Sequence, residues 1–242
     1  MKLINGIFGF IGRLLYYPKW RCFSCGKEVF DDECFCAECR KKLPFIEGAV
    51  CEHCGRQVIA TESYCSTCKG VLTQTDRARS VFNYEKSVAA LIKRAKYDNA
   101  RYVLTEFADY LASAYYKYYF NSALLVCVPM TRRALKRRGY NQSEILARLV
   151  SEKTGVPFAD VLIKVKETKR QVKLSANERR KNLSGAFRVT DKTRVRGKSV
   201  LIIDDVTTTG STGEALAEKL KKAGAERVEL LTIASVPPKA GY

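Results

Sequence analysis

Residues 200–212, which read Val-Leu-Ile-Ile-Asp-Asp-Val-Thr-Thr-Thr-Gly-Ser-Thr, decide the fold. A short apolar run typical of a buried strand leads into two adjacent carboxylates and then into a turn of hydroxyl side chains and glycine. Apolar residues at helical spacing follow, from Ala215 to Ala223. This order predicts a strand, a turn and a helix, with the turn at the carboxyl end of a parallel sheet.

The turn carries groups that can bind a sugar phosphate. Backbone N–H groups at a helix start, helped by the helix dipole, form an anion pocket. The residues that can line it are Thr208, Thr209, Gly210, Ser211 and Thr212. The adjacent carboxylates of Asp204 and Asp205 can accept hydrogen bonds from vicinal sugar hydroxyls. The combination predicts a ribose 5-phosphate site, and the alternative is a helix cap without a ligand. It matches neither the P-loop nor the dinucleotide-loop pattern.

The rest of this region alternates between strand and helix patterns. Apolar runs at 79–84, 124–128, 199–203 and 228–234 predict strands, and helical periodicity lies between them. Asn141 with Glu144 predicts a capping box at the start of one helix, and Gly155 predicts its end. The fold class is therefore α/β, a parallel sheet flanked by helices.

Eight of the ten cysteines form Cys-x-x-Cys pairs before residue 69. The pairs are Cys22 with Cys25, Cys36 with Cys39, Cys51 with Cys54, and Cys65 with Cys68. Adding 29 to the first four numbers gives the last four, so one unit occurs twice. Two residues between cysteines let both thiolates face one tetrahedral ion. We predict two zinc ribbons, each holding one structural Zn²⁺ through four thiolates. A disulfide framework is the alternative.

Composition divides the 242 residues into three parts. Residues 1–20 form an amphipathic segment, interpreted as a docked helix or, alternatively, a membrane-surface anchor. Residues 21–72 form the double zinc ribbon, and residues 77–242 form the α/β domain. Apolar residues make up 46% and charged residues 28%, which excludes wholesale disorder and collagen. No stretch reaches the ~18 consecutive apolar residues that a transmembrane helix needs.

The basic charge points to an anionic partner. The chain has 43 Lys and Arg against 25 Asp and Glu, and residues 126–200 alone hold 20 against 6. Such cations with an aromatic side chain are typical of sequence-tolerant single-strand binding. Some of them could instead clamp pyrophosphate or line a solvated face. We predict nucleic-acid contacts by the following residues: Arg132, Arg133, Lys136, Arg137, Arg138, Tyr140, Arg179 and Arg180.

Residues 200–212 resemble the phosphoribosyl pyrophosphate (PRPP) signature of type I phosphoribosyltransferases. The resemblance implies that Asp204 and Asp205 hold the ribose hydroxyls of PRPP and that Thr208 to Thr212 hold its 5′-phosphate. It also implies a loop after an earlier strand that binds pyrophosphate bridged by Mg²⁺. In this chain that loop is Met130, Thr131, Arg132 and Arg133.

Over nearly the whole chain, the order of motifs is similar to the ComF family of competence proteins. Four Cys-x-x-Cys pairs come first, residues 128–142 then read VPMTRRALKRRGYNQ, and the ribose-phosphate turn comes last. The resemblance implies a cytoplasmic role in taking up transforming DNA. It also implies single-stranded DNA and a helicase of the ComFA type as partners.

Three functions remain open at this point. The first is a DNA-uptake protein that binds single strands and keeps a PRPP site as a platform. The second is an active phosphoribosyltransferase of nucleotide metabolism with an unknown acceptor. In that case Thr208 stands where related purine enzymes carry an Asp general base, which a Thr cannot replace at neutral pH. The third is a zinc-ribbon regulator acting on duplex DNA.

Overall fold

The computed structural model describes residues 21–29, 34–66, 68–70, 73–98, 100–118, 120–168, 183 and 185–237. The amphipathic segment predicted at residues 1–20 lies outside these residues. Arg179 and Arg180, two of the predicted nucleic-acid contacts, also lie outside them, as does Leu72 at the predicted end of the ribbon region.

A four-stranded parallel sheet forms the centre of the molecule, as the sequence predicts. Its strands are β1 (Arg77–Asn83), β2 (Leu124–Cys127), β5 (Ser199–Thr207) and β6 (Arg227–Ser235). They lie in the order β1-β6-β5-β2, and every neighbouring pair is parallel. A separate antiparallel pair, β3 (Leu162–Lys164) with β4 (Phe187–Val189), is not predicted from the sequence.

Six helices accompany these strands in the described residues. They are α1 (Ala37–Lys41), α2 (Lys86–Tyr97), α3 (Tyr102–Lys117), α4 (Arg132–Arg138), α5 (Gln142–Thr154) and α6 (Ser211–Lys222). Helices α3 and α5 pack on one face of the sheet, and α6 packs on the other with β4. The Asn141 side chain caps α5 by accepting the Ser143 N–H, and Gly155 ends the helix at φ +75°. Glu144 does not complete the predicted capping box but pairs with Arg148.

Strands buried on both faces explain the continuous apolar runs. In β2, Leu125 and Cys127 belong to the core under α3 and α5, while Leu124 and Val126 belong to the core under α6. Since successive side chains of a strand point to opposite faces, a sheet covered by helices on both sides needs apolar residues at every position. The apolar runs therefore mark the interior strands of the sheet.

The backbone of the cysteine region repeats with the predicted shift of 29 residues. The Cys22 N–H donates to the Lys27 carbonyl at 2.7 Å, and the Cys51 N–H donates to the Arg56 carbonyl at 2.7 Å. The N–H groups of Gly26 and Gly55 donate to the first cysteine carbonyl of each ribbon at 2.9 Å. One knuckle conformation therefore occurs twice, as the spacing predicts.

Each repeat brings four sulfur atoms together. The Sγ atoms of Cys22, Cys25, Cys36 and Cys39 lie within 4.8 Å of one another, as do those of Cys51, Cys54, Cys65 and Cys68. A tetrahedral ion with Zn–S bonds of about 2.3 Å separates its ligands by about 3.8 Å. The Cys25 to Cys36 sulfur distance is 3.8 Å, and the Cys54 to Cys65 distance is 3.6 Å. Two closed structural zinc sites fit this arrangement.

Backbone hydrogen bonds lower the pKa of the first thiol of each ribbon. Burial would raise the pKa of Cys22 and Cys51, but backbone N–H groups of the knuckle outweigh it. The resulting pKa is about 6 for Cys22 and about 7 for Cys51. Burial raises the pKa of Cys39 and Cys54 to about 12, and the hydrogen bonds that stabilise these thiolates do not compensate it in full. A divalent cation supplies that compensation.

The ribbons pack on the sheet and cover its edge. The Ala78 N–H in β1 donates to the His53 carbonyl at 2.6 Å, and the Ile46 N–H donates to the Val81 carbonyl at 2.9 Å. The Phe23 ring of the first ribbon packs against Tyr102 with centroids 5.0 Å apart. An exposed strand edge leaves unpaired backbone groups that attract other chains. The ribbon segment therefore completes the fold as well as binding metal.

The two knuckle glycines provide a matched test of this packing. Gly26 and Gly55 have nearly equal φ values of +75° and +69°. A Cβ at Gly55 would lie 2.4 Å from the Ala78 carbonyl oxygen, whereas a Cβ at Gly26 meets nothing within 4 Å. We expect Gly26→Ala to cost about 1 kcal/mol for the left-handed backbone and Gly55→Ala to cost a further ~1–3 kcal/mol for the clash. Denaturant unfolding of the zinc-loaded protein measures both values, and equal losses would contradict the close packing.

The sulfur clusters predict the zinc content. Elemental analysis of the reduced protein should find about two equivalents of zinc per chain, one for each closed four-thiolate site. Cys36→Ser should reduce this to about one. Cys34→Ala is the control, because Cys34 is buried beside the first cluster without belonging to it. Loss of zinc in the control alone, or disulfides in place of metal, would refute the assignment.

Candidate ribose-phosphate site and basic helix

A cavity of about 240 Å³ lies at the carboxyl edge of the sheet. It is bounded by the end of β5, the loop after β2, the end of α2, the start of α5 and the base of the β3–β4 pair. Its polar lining residues are Lys96, Thr131, Arg138, Asn141, Gln142, Ser143, Lys164, Glu167, Thr168, Asp204, Asp205 and Thr212. The carboxyl ends of parallel strands meet at one edge, so the predicted acid pair and the predicted loop face the same space.

The acid pair ends the central strand β5 and is embedded in the cavity wall. Asp204 Oδ1 accepts hydrogen bonds from the Ser143 hydroxyl at 2.7 Å and from the Asp205 N–H at 2.9 Å. Burial and then the neighbouring Asp205 carboxylate raise the pKa of Asp204 to about 7. The ionised form of Asp204 is therefore disfavoured in the empty cavity, and a ligand that donates hydrogen bonds or brings a cation would stabilise it.

Lys96, at the end of α2, lies against this pair. Its Nζ is 2.7 Å from Asp205 Oδ2. Burial lowers the pKa of Lys96, but the Asp205 carboxylate outweighs this effect and holds the pKa above its usual value. Sequence reasoning missed both Lys96 and Ser143, since neither lies near the acid pair in the chain. No local signal identifies them, because their positions depend on how α2 and α5 pack.

The hydroxyl-rich turn adopts the predicted conformation. Gly210 caps α6 at φ +77°, where a residue without Cβ is favoured, and the helix begins at Ser211. The hydroxyls of Thr209 and Ser211 are 2.7 Å apart, and Thr212 lines the cavity. Thr208 is exposed. The turn thus presents hydroxyls and the first N–H groups of α6 at the same edge as the acid pair.

Only part of the predicted pyrophosphate loop lines the cavity. Met130 and Thr131 do so, and the Thr131 hydroxyl accepts the Ala134 N–H at 3.2 Å as the cap of α4. Among the residues that the structure describes, Arg132 and Arg133 are exposed and are not part of the lining. Arg138, at the other end of α4, reaches the cavity instead and donates to Gln142 Oε1 at 2.8 Å.

Gln142, one of the lining residues, has a buried donor without a partner among the described residues. Its side chain is 2% exposed, and Nε2 has no partner within the described part of the chain. Because Arg138 can only donate, its hydrogen bond fixes Oε1 as the acceptor and leaves Nε2 as the free donor. A buried donor without a partner is unfavourable by about 1–3 kcal/mol.

The basic segment forms the short helix α4 on the rim of this cavity. Its exposed cations are Arg132, Arg133, Lys136 and Arg137. In the described ranges none of these four forms an ion pair, although such pairs occur elsewhere on the surface. The helix therefore presents an uncompensated positive surface.

Tyr140, the aromatic residue predicted to stack on bases, lies inside the protein. Its side chain is 8% exposed, and its hydroxyl donates to the Ala95 carbonyl of α2. The Arg101 guanidinium lies 4.3 Å from its ring centroid. The residue joins α2 to the start of α5, and its ring has no free face for a base. This placement corrects the predicted role.

In the described part of the chain, each helix is too short or too polar to cross a bilayer.

Comparison with known proteins agrees with both parts of the structure. Residues 13–69 match the double zinc ribbon domain, and residues 105–241 match the phosphoribosyl transferase domain. The chain is 29% identical over 229 residues to Competence protein F of Haemophilus influenzae, covering 91% of this chain and 99% of that protein. It is 37% identical over 107 residues to DNA utilization protein YhgH of Salmonella typhi, covering 44% and 46%. It is 27% identical over 158 residues to Competence protein ComFC of Streptococcus pneumoniae, covering 64% and 66%.

The two domain matches cover the regions described above. The phosphoribosyl transferase match spans more than half of the chain and includes the hydroxyl-rich turn and every cavity-lining residue except Lys96. The zinc ribbon match includes both sulfur clusters. The chain therefore belongs to the ComF family and combines a double zinc ribbon with a phosphoribosyl transferase domain.

Proposed function

We propose that this protein binds single-stranded DNA in the cytoplasm during DNA uptake and holds a PRPP-type ligand in the adjacent cavity. The observation that carries the proposal is the uncompensated positive surface of α4 on the rim of the cavity. The relatives named for competence and DNA utilization support the process. We propose a helicase of the ComFA type as a partner in that process.

The α4 surface suits a DNA backbone better than a specific base sequence. Cations without carboxylate partners release counterions when they neutralise phosphates, and this term does not depend on base identity. The zinc ribbon region carries no net positive charge, since residues 22–72 hold 6 Lys and Arg against 8 Asp and Glu. We therefore assign DNA binding to the phosphoribosyl transferase domain, in preference to the ribbons.

The cavity suits PRPP at three positions. Asp204 and Asp205 would accept the ribose hydroxyls, and the turn at Thr208 to Thr212 would bind the 5′-phosphate. The diphosphate would lie toward Lys96, Arg138 and Lys164, the cations of the lining. Carboxylate and phosphate oxygens are the ligands Mg²⁺ prefers, so the acid pair fits Mg²⁺ held jointly with the ligand. The ion would add positive charge beside the diphosphate.

An active phosphoribosyltransferase is the second candidate, favoured by those three cations around the place of a departing diphosphate. Pyrophosphate release measured with several acceptors separates the two functions. PRPP binding without release supports a ligand-holding site, and acceptor-dependent release supports an enzyme. A preference for duplex over single-stranded DNA would favour the third function, a ribbon-type regulator.

The salt dependence of DNA binding tests the position of the binding surface. Arg133→Ala with Arg137→Ala should flatten the log–log salt slope for single strands by about 1.4, at ~0.7 for each phosphate contact. The control is Lys41→Ala with Lys42→Ala, which removes the same charge from an exposed position in the first ribbon. If the control pair flattens the salt slope equally, the assignment of DNA binding to the phosphoribosyl transferase domain is wrong.

Asp204 links ligand binding to stability. Its folded pKa of about 7 exceeds the unfolded value of 3.8, so the folded chain binds a proton that the unfolded chain releases. This group therefore destabilises the fold increasingly as pH rises from about 4 to about 7. Asp204→Asn should raise the unfolding temperature, more at about pH 8 than at about pH 5, and should abolish Mg²⁺-dependent PRPP binding.

Asp160→Asn is the control for this experiment. Burial also raises the pKa of Asp160, but the residue lies outside the cavity lining. This variant should keep PRPP binding. Calorimetry measures the unfolding temperature and titration measures the affinity. If the Asp204→Asn protein binds PRPP as tightly as the parent does, the assignment of the ribose site to Asp204 is wrong.

A further inference from the structure

An exposed aromatic side chain lies between the cavity and the basic helix. Tyr97, the last residue of α2, is 72% exposed. The preceding residue, Lys96, points into the cavity and contacts Asp205. The last turn of α2 therefore has one residue in the ligand site and the next on the surface at its mouth.

One arginine side chain borders this ring. The Arg138 guanidinium carbon lies 5.7 Å from the Tyr97 ring centroid. An Arg101 Nη atom lies 3.9 Å from where a Cβ on Gly139 would be, so Arg101 flanks the loop that follows α4. An exposed aromatic ring bordered by a guanidinium group can stack on a base while the cation meets a neighbouring phosphate.

We propose that Tyr97 stacks on a base of bound single-stranded DNA, so that the strand crosses the mouth of the cavity. The inference rests on the proposed DNA binding and names the residue that contacts a base. It replaces Tyr140, whose ring is covered by Arg101. Every base has a π face, so this contact tolerates any sequence, as the phosphate contacts of α4 do.

The position of Tyr97 also connects the two ligands. Arg138 borders the Tyr97 ring and lines the cavity, where it is bonded to Gln142. A base on Tyr97 therefore lies beside a side chain that also faces the diphosphate end of the cavity. The strand and the small ligand occupy adjoining sites that share one arginine.

Binding of a labelled oligothymidylate to the zinc-loaded full chain tests the proposal. One stacked base contributes about 1–3 kcal/mol, so Tyr97→Ala should weaken binding by roughly five- to 150-fold. The salt slope should not change, because stacking neutralises no phosphate. Tyr97→Phe should retain the affinity of the parent. The matched control is Tyr116→Ala. Tyr116 is also exposed, at 57%, and lies near the end of α3, about 21 Å along that helix from its first residue, Tyr102.

An abasic strand of the same length separates stacking from an indirect effect on Arg138. The parent protein should bind the abasic strand as weakly as the Tyr97→Ala protein binds oligothymidylate. The Tyr97→Ala substitution should change the affinity for the abasic strand little. Unchanged oligothymidylate binding by Tyr97→Ala would overturn the proposal. An equal loss on both strands would also overturn it, since Tyr97 would then act through Arg138. Absence of DNA binding by the parent would instead refute the proposed function itself.

Discussion

The parallel pairing of β5 with β2 on one side and β6 on the other is the constraint on which the site depends. Its register places Cys127 opposite Ile203, so the loop after β2 and the acid pair of β5 leave the sheet side by side. A slip of one residue would exchange the two faces of β5 and move Asp204 away from Ser143. Residues 200–203 of β5, which precede the acid pair, are apolar and buried on both faces.

Burying the two carboxylates of the acid pair destabilises the fold, and the surrounding elements offset part of this unfavourable free energy. Ser143 from α5 donates to Asp204, and Lys96 from α2 contacts Asp205. The raised pKa of Asp204 indicates that the compensation is incomplete. A site that binds a ligand through buried charge is commonly less stable than the same site filled with neutral groups. The same reasoning applies to the free amide N–H₂ of Gln142, which the protein buries without a partner among the described residues.

The zinc ribbons and the sheet depend on each other. Phe23 and Phe35 of the first ribbon belong to the same core as α2 and α3. In the second ribbon, the His53 ring lies 3.4 Å from Glu214 in α6 and 3.0 Å from the Thr73 hydroxyl. Metal binding therefore stabilises the cover over the edge of β1 as well as the knuckles. This joins a structural metal to the domain that carries the ligand site.

Features with a local cause could be predicted from the sequence. The β5–turn–α6 unit, the caps of α5 at Asn141 and Gly155 and the repeated cysteine knuckles each depend on neighbouring residues, through side-chain period, turn chemistry or ligand spacing. Features that depend on which distant elements meet could not be predicted from the sequence. The short α4 helix and the β3–β4 pair carry no strong periodic pattern, so the inward Arg138 and the outward Arg132 are indistinguishable in the chain.

The sequence by itself thus determined the two zinc ribbons, the parallel sheet and the acid pair with the hydroxyl-rich turn that follows it. Only the tertiary structure decided that Lys96 and Ser143 face that pair, that Tyr140 is buried and that Tyr97 is exposed. The physical reason is that these positions follow from the packing of α2 and α5 across the carboxyl edge of the sheet. That packing depends on strand order and long-range contacts, which leave no periodic signal in the chain.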